Sequence, residues 1–330
     1  MKVFYPDYFK EFRCLSGDCP DSCCKEWAVD IDPESAAFYR GLPGDLGNRI
    51  RSFLSEEDGC VVMTIQNGRC PMWRQDGLCE IQAQLGHDAL CKTCREFPRL
   101  THDYGDFTEY GLELSCPEAA RLILGSNRHH LEEASVPDSG LAEYDPEIMG
   151  ILQQSRQAVL EFLDKGKPLG QSLAAILLYG HFVQSALDGD CLNTTPEACL
   201  DQVDRFRGQG DLAAIWGFFR ELEILTEDWR HCLAQVPDTV VWSDALRGMA
   251  RYLVQRYWLQ TICDLDLVCR VKLIAVSCLV VGALPGDVVR GAQLYSKEIE
   301  NDPDNVEAIL DGAYHSPALT DKNLLALLCR

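Results

Sequence analysis

The second half of the chain carries apolar residues at the spacing of α-helices. Beyond about residue 140, apolar side chains return every three or four positions over long stretches, as they do on the buried face of a helix. Five stretches have this pattern: 146–163, 171–187, 211–225, 242–262 and 265–284. Asp287 and Asp302 stand where two further helices are expected to begin, because aspartate is a favoured N-cap. The pattern therefore predicts a helical bundle.

The first third of the chain has a different pattern, in which turn-forming residues interrupt short apolar runs. Examples are "GLPGDLG" at 41–47, "NGRCP" at 67–71 and "QDGLC" at 75–79. Such a segment predicts loops, short helices and one small hairpin. Asp32 and Pro33 predict one helix start, with aspartate as the N-cap and proline at the first helical position.

Together the two patterns predict a mainly α fold. We expect an irregular, cysteine-rich, metal-binding N-terminal region packed on a C-terminal helical bundle. The predicted domain ranges are 1–125 for the cysteine-rich region and 140–330 for the helical domain.

Charge and apolar length exclude some classes of function. The chain has 30 basic and 51 acidic residues, a formal net charge of −21, which repels the phosphates of nucleic acid. The longest apolar stretch, "LIAVSCLVVGAL" at 273–284, is too short to cross a bilayer, and the first ten residues lack an apolar run of signal-peptide length. We therefore expect a cytoplasmic protein with reduced thiols, no transmembrane segment and no nucleic-acid partner. The sequence leaves the oligomeric state open.

Cysteines are concentrated in the first third of the chain. Ten of the 17 fall within the first 116 residues, and thiols at such density in a reducing compartment most often bind zinc or iron–sulfur clusters. The predicted metal ligands are Cys14, Cys19, Cys23, Cys24, Cys70, Cys79, Cys91, Cys94 and Cys116. Nine thiols exceed one tetrahedral site, so either two sites share them or some are not ligands.

The spacing of these cysteines favours iron–sulfur over zinc. Only Cys91 and Cys94 have the Cys-x2-Cys spacing that zinc modules usually repeat. The adjacent Cys23 and Cys24 suit a mononuclear tetrahedron poorly, because neighbouring side chains in extended backbone point apart. Zinc stays open as the alternative metal.

Five segments carry a resemblance to a known family. They are "FRCLSGDCPDSCCKEWAVDID", "CPMWRQDGLCEIQAQLG", "CKTCREFPRL", "LELSCPEAARLIL" and "LYSKEIEND". In these segments the chain resembles the flagellin lysine-N-methylases, and its opening part is also similar to a group of small zinc- or iron-chelating proteins. The resemblance implies transfer of methyl groups from S-adenosylmethionine to lysine ε-amino groups of flagellin in the bacterial cytoplasm. It also implies a [4Fe-4S] cluster, held by some of the nine cysteines and needed for activity.

Two common fingerprints of this methyl donor are missing from the sequence. It has no strand-Gly-x-Gly-x-x-Gly-helix pattern. It also lacks a Cys-x3-Cys-x2-Cys triplet, because Glu26 stands where the third cysteine would follow Cys19 and Cys23. The binding mode of S-adenosylmethionine, and the choice between polar and radical transfer, therefore stay open.

Two carboxylates flank Cys116 and are candidates for acid–base chemistry. A lysine ammonium, with an ordinary pKa of about 10.4, must lose a proton before its nitrogen can attack a methyl group. Glu113 and Glu118 are the predicted catalytic residues, and an ordinary surface or capping role is the alternative for each.

Three further residues are predicted to bind the methyl donor. Arg95 and Arg99, in "CREFPR", suit a bidentate bond with its carboxylate, or else they neutralise the surroundings of the cluster. Trp27 suits stacking on adenine or shielding of the cluster, with a plain core role as the alternative.

The remaining candidates are predicted to have structural roles. The segment "YSKEIE" at 295–300 has the composition of a solvent-exposed helix end, and Tyr252, Tyr257 and Trp258 are predicted to lie in the core. A protein of a different class, a non-enzymatic iron- or zinc-binding or metal-delivery protein whose helical part docks a partner, is the alternative function.

Overall fold

The computed structural model describes residues 2–57, 59–126, 131–135, 140–235 and 237–330, and over these ranges the chain is mainly α, as predicted. The strands of the described residues are β1 (Lys2–Pro6), β2 (Val29–Ile31), β3 (Leu54–Glu57), β4 (Cys60–Met63), β5 (Arg99–Asp103), β6 (Phe107–Leu112) and β7 (Leu131–Ser135). Their helices are α1 (Pro33–Gly41), α2 (Gly44–Arg51), α3 (Glu80–Leu85), α4 (Lys92–Glu96), α5 (Pro117–Gly125), α6 (Pro146–Asp164), α7 (Leu169–Leu187), α8 (Pro196–Leu200), α9 (Leu212–Glu221), α10 (Glu227–Ala234), α11 (Asp244–Tyr257), α12 (Leu267–Ala283), α13 (Val288–Tyr295), α14 (Pro303–His315) and α15 (Asp321–Leu328). Short 3-10 segments cover Asp7–Glu11, Ser16–Asp18, His87–Ala89, Val203–Phe206, Trp258–Cys263 and Pro317–Leu319, and a π-turn covers Ser296–Glu300.

The chain forms two compact units, each built from separate stretches of sequence. The cysteine-rich unit comprises Phe12–Leu100 and Cys116–Glu118. The helical unit comprises the residues up to Glu11, Thr101–Ser115 and Ala119–Arg330. The boundaries of these units therefore differ from the predicted domain ranges, 1–125 and 140–330. Those ranges stay a prediction.

Helix α12 forms the centre of the helical unit. Each of its residues, from Leu267 to Ala283, is buried, and it packs against α7, α9, α11, α13, α14 and α15. The predicted N-caps are confirmed. The carboxylate of Asp287 accepts a hydrogen bond from the N–H of Arg290 at 3.0 Å, and the carboxylate of Asp302 accepts one from the N–H of Asp304 at 2.9 Å. The predicted helix over 242–262 is shorter, because α11 gives way to a 3-10 segment after Tyr257.

A four-stranded sheet belongs to the helical unit and was not predicted from the turn-rich pattern. Its strand order is β5-β6-β1-β7. Strand β1 runs parallel to β6, with Phe4 opposite Glu109, and antiparallel to β7, with Phe4 opposite Glu133. The first residues of the chain are therefore part of the helical unit's fold.

The cysteine-rich unit contains a small core of its own. Its three-stranded sheet has the order β2-β4-β3, and β3 and β4 form the one small antiparallel hairpin expected from the sequence. Helix α1 begins at Pro33 with Asp32 as the N-cap, as predicted. The buried residues of this core are Val29, Ile31, Ala36, Tyr39, Ile50, Met63, Met72, Ile81, Leu90 and Cys91.

Candidate functional site

Backbone pairing brings three of the predicted ligands into neighbouring turns of the cysteine-rich unit. The N–H of Cys70 donates to the carbonyl of Cys24 at 2.7 Å. An isolated antiparallel bridge pairs Trp73 with Cys79. Residues far apart in sequence are thereby held together by main-chain hydrogen bonds.

Asp32 connects the start of α4, where two more cysteines lie, to α1. Its carboxylate accepts hydrogen bonds from the N–H of Lys92 at 2.8 Å and of Ser35 at 3.0 Å. These two N–H groups, the one from Lys92 foremost, lower the pKa of Asp32 to about 2. The position of Cys91, the N-cap of α4, and of Cys94 within it therefore depends on this carboxylate.

Four thiols form two hydrogen-bonded pairs. A hydrogen bond from the Cys23 thiol lowers the pKa of Cys24 to about 7, while the same bond, together with burial, raises the pKa of Cys23. In the same way, a hydrogen bond with Cys94 lowers the pKa of Cys91, and that bond and burial raise the pKa of Cys94. One sulfur of each pair therefore has a lowered pKa, which favours the thiolate, the form that binds metals.

The two pairs and two further cysteines lie close enough to influence one another. Burial raises the pKa of Cys70 to about 12, and negative charge on Cys24, Cys79 and Cys91 adds to the rise. Burial also raises the pKa of Cys79, to which Cys24 and Cys91 contribute. A chain of pairwise electrostatic influence thus connects six sulfurs: Cys23, Cys24, Cys70, Cys79, Cys91 and Cys94.

The remaining three predicted ligands join the same group. The hydrogen bond with Cys24 and burial are the largest causes of the raised pKa of Cys23, and negative charges on Cys14 and Cys116 make smaller contributions. Burial raises the pKa of Cys19, and Cys14 adds to that rise. We call this connected group of nine sulfurs the thiol cluster; its members are Cys14, Cys19, Cys23, Cys24, Cys70, Cys79, Cys91, Cys94 and Cys116.

The chemistry of the thiol cluster fits a soft metal centre. Backbone N–H groups donate to several of its sulfurs: that of Met72 to Cys70, that of Cys94 to Cys91, that of Gln82 to Cys79, and that of Ser16 to Cys14 at 3.4 Å. Such hydrogen bonds stabilise sulfur in its anionic form and also tune iron–sulfur clusters. Thiolates in this number suit zinc or iron–sulfur centres and suit magnesium or calcium poorly.

The coordination geometry itself is not formed in advance. Over the ranges that the structure describes, no group of three or more His, Cys, Asp or Glu side chains is arranged so that it could hold a metal ion. Four of the thiols are instead hydrogen-bonded to one another in two pairs, Cys23 with Cys24 and Cys91 with Cys94. The choice of ligands among the nine, and that between zinc and [4Fe-4S], stay predictions.

The two predicted donor-binding arginines lie beside the thiol cluster in sequence and keep their charges unpaired. Arg95 is half-buried and donates to the carbonyl of Leu90 at 3.4 Å. Arg99 is exposed, with its guanidinium 5.4 Å from the centre of the Phe12 ring. Within the described part of the chain neither forms an ion pair with a carboxylate, so both are available to an anionic group.

Trp27 is half-buried at the edge of the core of the cysteine-rich unit. Its ring lies 6.1 Å from that of Phe97, at an interplanar angle of 54°. This packing agrees with the core role, and the predicted stacking on adenine stays a prediction.

The two predicted catalytic carboxylates belong to different compact units. Glu118 is the second residue of α5, is half-buried, and falls within the cysteine-rich unit. Glu113 follows the last residue of β6, is also half-buried, and falls within the helical unit.

Glu113 faces a buried group of charged and aromatic residues in the helical unit. Burial raises the pKa of Glu113, the positive charge of Arg256 opposes the rise, and the negative charge of Glu300 adds to it. The hydroxyl of Ser115 donates to the Glu113 carboxylate at 3.3 Å. We call the group formed by Glu113, Tyr252, Arg256, Tyr257 and Glu300 the Arg256 cluster.

Arg256 and Glu300 are linked by two tyrosines. Nη1 of Arg256 donates to the Tyr252 oxygen at 2.6 Å, and its Nε lies 3.5 Å from Glu300. The hydroxyls of Tyr257 and Tyr252 donate to Glu300 at 2.9 and 3.2 Å. The Arg256 side chain is 13% exposed and that of Glu300 is 2% exposed. Burial raises the pKa of both tyrosines, so they remain protonated donors.

The π-turn that carries Glu300 overturns one prediction. All five of its residues, Ser296 to Glu300, are buried, so the predicted solvent-exposed helix end was wrong. The N–H of Asn301 reaches the carbonyl of Ser296 at 3.1 Å, the i to i+5 bond of a π-turn, and such turns often occur at functional sites. The spacing of Tyr252 and Arg256, which are four residues apart and so share a helix face, was a sequence signal for this buried group.

Comparison with known proteins places these features in a family. The flagellar biosynthetic protein FliU of Salmonella muenchen is 30% identical over 136 residues, which cover 38% of this chain and 78% of that protein. This chain belongs to the flagellin lysine-N-methylase family. Two members named lysine-N-methylase, from Salmonella typhimurium strain LT2 and Salmonella choleraesuis strain SC-B67, are also 30% identical over 136 residues, 38% of this chain.

The match to these two lysine-N-methylases is partial. It spans 33% of the length of each, so their names describe longer proteins. The chain matches no established family profile and no solved structure. Among the described residues, no helix is both long and apolar enough to span a membrane.

Proposed function

We propose that this member of the flagellin lysine-N-methylase family transfers methyl groups from S-adenosylmethionine to lysine ε-amino groups of flagellin in the bacterial cytoplasm. The proposal further assigns a [4Fe-4S] cluster, with zinc as the alternative metal, to the thiol cluster. Two observations support it: the nine cysteines influence one another electrostatically, and two relatives of the chain are named lysine-N-methylase.

In this proposal the thiol cluster supplies the metal ligands. Cys24 and Cys91 are the first to bind, because hydrogen bonds from Cys23 and Cys94 already lower the pKa of each. A bound metal centre would add its binding free energy to the folding of the cysteine-rich unit and fix its loops.

The amine chemistry is assigned to Glu113. Its carboxylate accepts a proton from the substrate ammonium, which frees the lone pair on the lysine nitrogen. The lone pair forms the new N–C bond while the S–C bond of the sulfonium donor breaks and its electron pair stays on sulfur. The methylated lysine is then an ammonium again, and Glu113 releases its proton to water. In this proposal the transfer is polar, with the nitrogen lone pair as the nucleophile.

Arg95, Arg99 and Trp27 are assigned to the methyl donor. The two guanidiniums lack carboxylate partners in the described residues and can bind the donor's carboxylate. Trp27 offers an aromatic face for adenine.

Paired cysteine substitutions test the metal assignment. In Cys91→Ser/Cys94→Ser, we expect protein purified without oxygen to lose most of its iron and sulfide, or its zinc, because a hydrogen-bonded pair of ligands is gone. The matched control is Cys60→Ser, an exposed cysteine of β4 in the same unit but outside the thiol cluster. Metal and sulfide analysis with visible absorption spectra provides the measurement, and equal metal content in all three proteins would contradict the assignment.

Transfer of label tests the activity. Metal-loaded protein, incubated with methyl-labelled S-adenosylmethionine and flagellin, should place label on flagellin lysines, which peptide mass spectrometry locates. Fully loaded protein that leaves flagellin unlabelled would overturn the proposed activity.

A further inference from the structure

The short segment that carries Glu113 is held by hydrogen bonds from two buried side chains of the helical unit. The N–H of Leu114 donates to the hydroxyl oxygen of Tyr252, on α11, at 3.5 Å. The carbonyl of Ser115 accepts from Nε2 of Gln293, on α13, at 2.8 Å. The two residues that follow Glu113 are thus held by side chains of α11 and α13, which restricts where the Glu113 carboxylate can lie.

Tyr252, one of the two residues that hold this segment, is also the centre of the Arg256 cluster. The oxygen of Tyr252 accepts from Arg256 at 2.6 Å, and its hydroxyl donates to Glu300. Hydrogen bonds to one phenol therefore link Glu300 and Arg256 to the backbone beside Glu113. Glu113 itself accepts a hydrogen bond from the hydroxyl of Ser115.

The charges of the Arg256 cluster do not balance. It contains two carboxylates, Glu113 and Glu300, and one guanidinium, Arg256, so one negative charge is in excess when both carboxylates are ionised. Excess charge in a poorly hydrated place is unfavourable unless a cation neutralises it. Glu113 is half-buried, whereas the side chain of Glu300, the other carboxylate, is 2% exposed. The carboxylate that can meet an incoming cation is therefore Glu113.

We infer that Tyr252, Arg256 and Glu300 are positioning residues that orient the Glu113 carboxylate and set its charge for the ammonium of a substrate lysine. The inference rests on the proposed methylation and extends it to three residues on α11 and the π-turn. The charged and titratable groups that face Glu113 are Arg256 and Tyr252 from α11 and Glu300 from the π-turn. Burial and Glu300 raise the pKa of Glu113, and Arg256 opposes them, which agrees with this arrangement.

Titration of Glu113 tests the inference without any need for activity. The full chain is labelled with carboxyl-13C glutamate, and the Glu113 signal is assigned by its loss in Glu113→Gln. In the wild type this signal should titrate above the ordinary value for glutamate, about 4.3. In Glu300→Gln the midpoint should move to lower pH, because a neighbouring negative charge has been removed. An unchanged midpoint in correctly folded Glu300→Gln would overturn the inference.

A second variant removes one oxygen and keeps every charge and nearly all packing. In Tyr252→Phe we expect the Glu113 midpoint to shift and, where wild-type protein methylates flagellin, kcat to fall about tenfold or more because the carboxylate is misplaced. The matched control is Tyr295→Phe, which also loses a buried hydroxyl, the one bonded to Ser277 at 2.7 Å. Equal effects of the two tyrosine substitutions on the Glu113 midpoint would show a general structural role and overturn the inference.

The two proposals fail separately. If wild-type protein methylates no flagellin but shows the expected Glu113 midpoints, the proposed activity is wrong and the positioning role of Tyr252, Arg256 and Glu300 stands. If the protein is active but Tyr252→Phe and Glu300→Gln leave both the midpoints and kcat unchanged, the positioning role is wrong and the proposed activity stands.

Discussion

Asp32 shows how one carboxylate can serve two helices. It caps α1 through Ser35 and accepts the N–H of Lys92 at the start of α4, the helix that follows Cys91. Both are charge-assisted hydrogen bonds, which are stronger than those between neutral groups. The sequence predicted the first contact, because an Asp-Pro pair marks a helix start. The second joins residues 60 positions apart and left no local signal.

Replacement of Asp32 should weaken the cysteine-rich unit. In Asp32→Ala the start of α1 loses its cap, which should reduce the free energy of unfolding by about 1 kcal/mol, and the N–H of Lys92 loses its acceptor. Urea unfolding of metal-free protein at neutral pH provides the measurement. A variant as stable as wild type would show that water replaces the carboxylate at no cost.

The same substitution should change how stability depends on pH. The folded pKa of Asp32, about 2, lies below its ordinary value of about 3.9, so its contribution is present above pH 4 or so and is lost as the pH falls toward 2. Between pH 5 and pH 2, roughly, wild-type protein should therefore lose more stability than Asp32→Asn. Parallel acid titrations followed by circular dichroism would reveal this difference.

The contact between α7 and α12 depends on the absence of a side chain at Gly180. A Cβ atom there would lie 2.9 Å from Cγ2 of Val271, on α12. Val271 is buried and β-branched, so it has few rotamers with which to move away. The close approach lets α12 reach the centre of the helical unit.

Gly180→Ala is expected to destabilise the protein although alanine favours helices. Overpacking of this kind costs about 1–3 kcal/mol, more than the gain of about 1 kcal/mol from helix propensity. The matched control is Gly150→Ala on α6, where a Cβ would meet no atom within 4 Å and where the propensity gain should appear alone. Thermal unfolding of the two variants should shift in opposite directions, and a shift in the same direction would contradict the packing argument.

Long helices could be predicted from this sequence, whereas strands and irregular turns could not. The apolar period and the caps at Asp287 and Asp302 predicted the helices correctly, because both signals are local. Strand β1 is only five residues long and pairs with β6, about a hundred positions away, so no local pattern marks it. The π-turn was missed for a related reason, since the partners of its buried carboxylates are distant in sequence: Tyr252 and Tyr257 for Glu300, and the N–H of Leu225 for Glu298.

The candidate site was predictable to a similar degree. The nine sulfurs of the thiol cluster were singled out by density and resemblance; in the structure they influence one another's pKa values in an overlapping series of pairs, and their role as ligands stays a prediction. Which sulfur of each pair is the better thiolate depends on hydrogen bonds that spacing does not reveal. Glu113 was predicted from its place near Cys116, but Arg256 and Glu300 lie 143 and 187 residues further along the chain.

The two compact units share one chain in an interleaved manner, and this limits where the protein can be divided. The helical unit needs residues from before Phe12 and from Thr101–Ser115. Among them is Glu109, which forms a bidentate ion pair with Arg156 on α6 at 2.6 and 2.7 Å. Both side chains of this pair are at least 92% buried.

A fragment of residues 140–330 should therefore not fold as a stable domain. It lacks the buried strand residues Val3, Phe107 and Leu112 and the partner of Arg156, and breaking a buried pair alone costs about 3–5 kcal/mol. That is a large part of a typical total stability of about 5–15 kcal/mol. We expect weak near-ultraviolet circular dichroism and no cooperative thermal transition.

Full-length Glu109→Gln serves as the companion variant, because it removes the charge pair but leaves the sheet intact. It should keep a cooperative transition at a reduced midpoint. A fragment that melts as sharply as the intact chain would show that 140–330 is an independent domain.

The π-turn at Ser296–Glu300 also bears on how this helix can change by mutation. A π-turn holds one residue more than an α-turn, and each residue of an α-helix rotates the next by about 100°. Deletion of a single codon within the turn would restore regular helix and rotate Glu300 away from its two phenols. One insertion or deletion event is thus enough for a lineage to gain or lose this enclosed carboxylate, while the helices on either side keep their sequences.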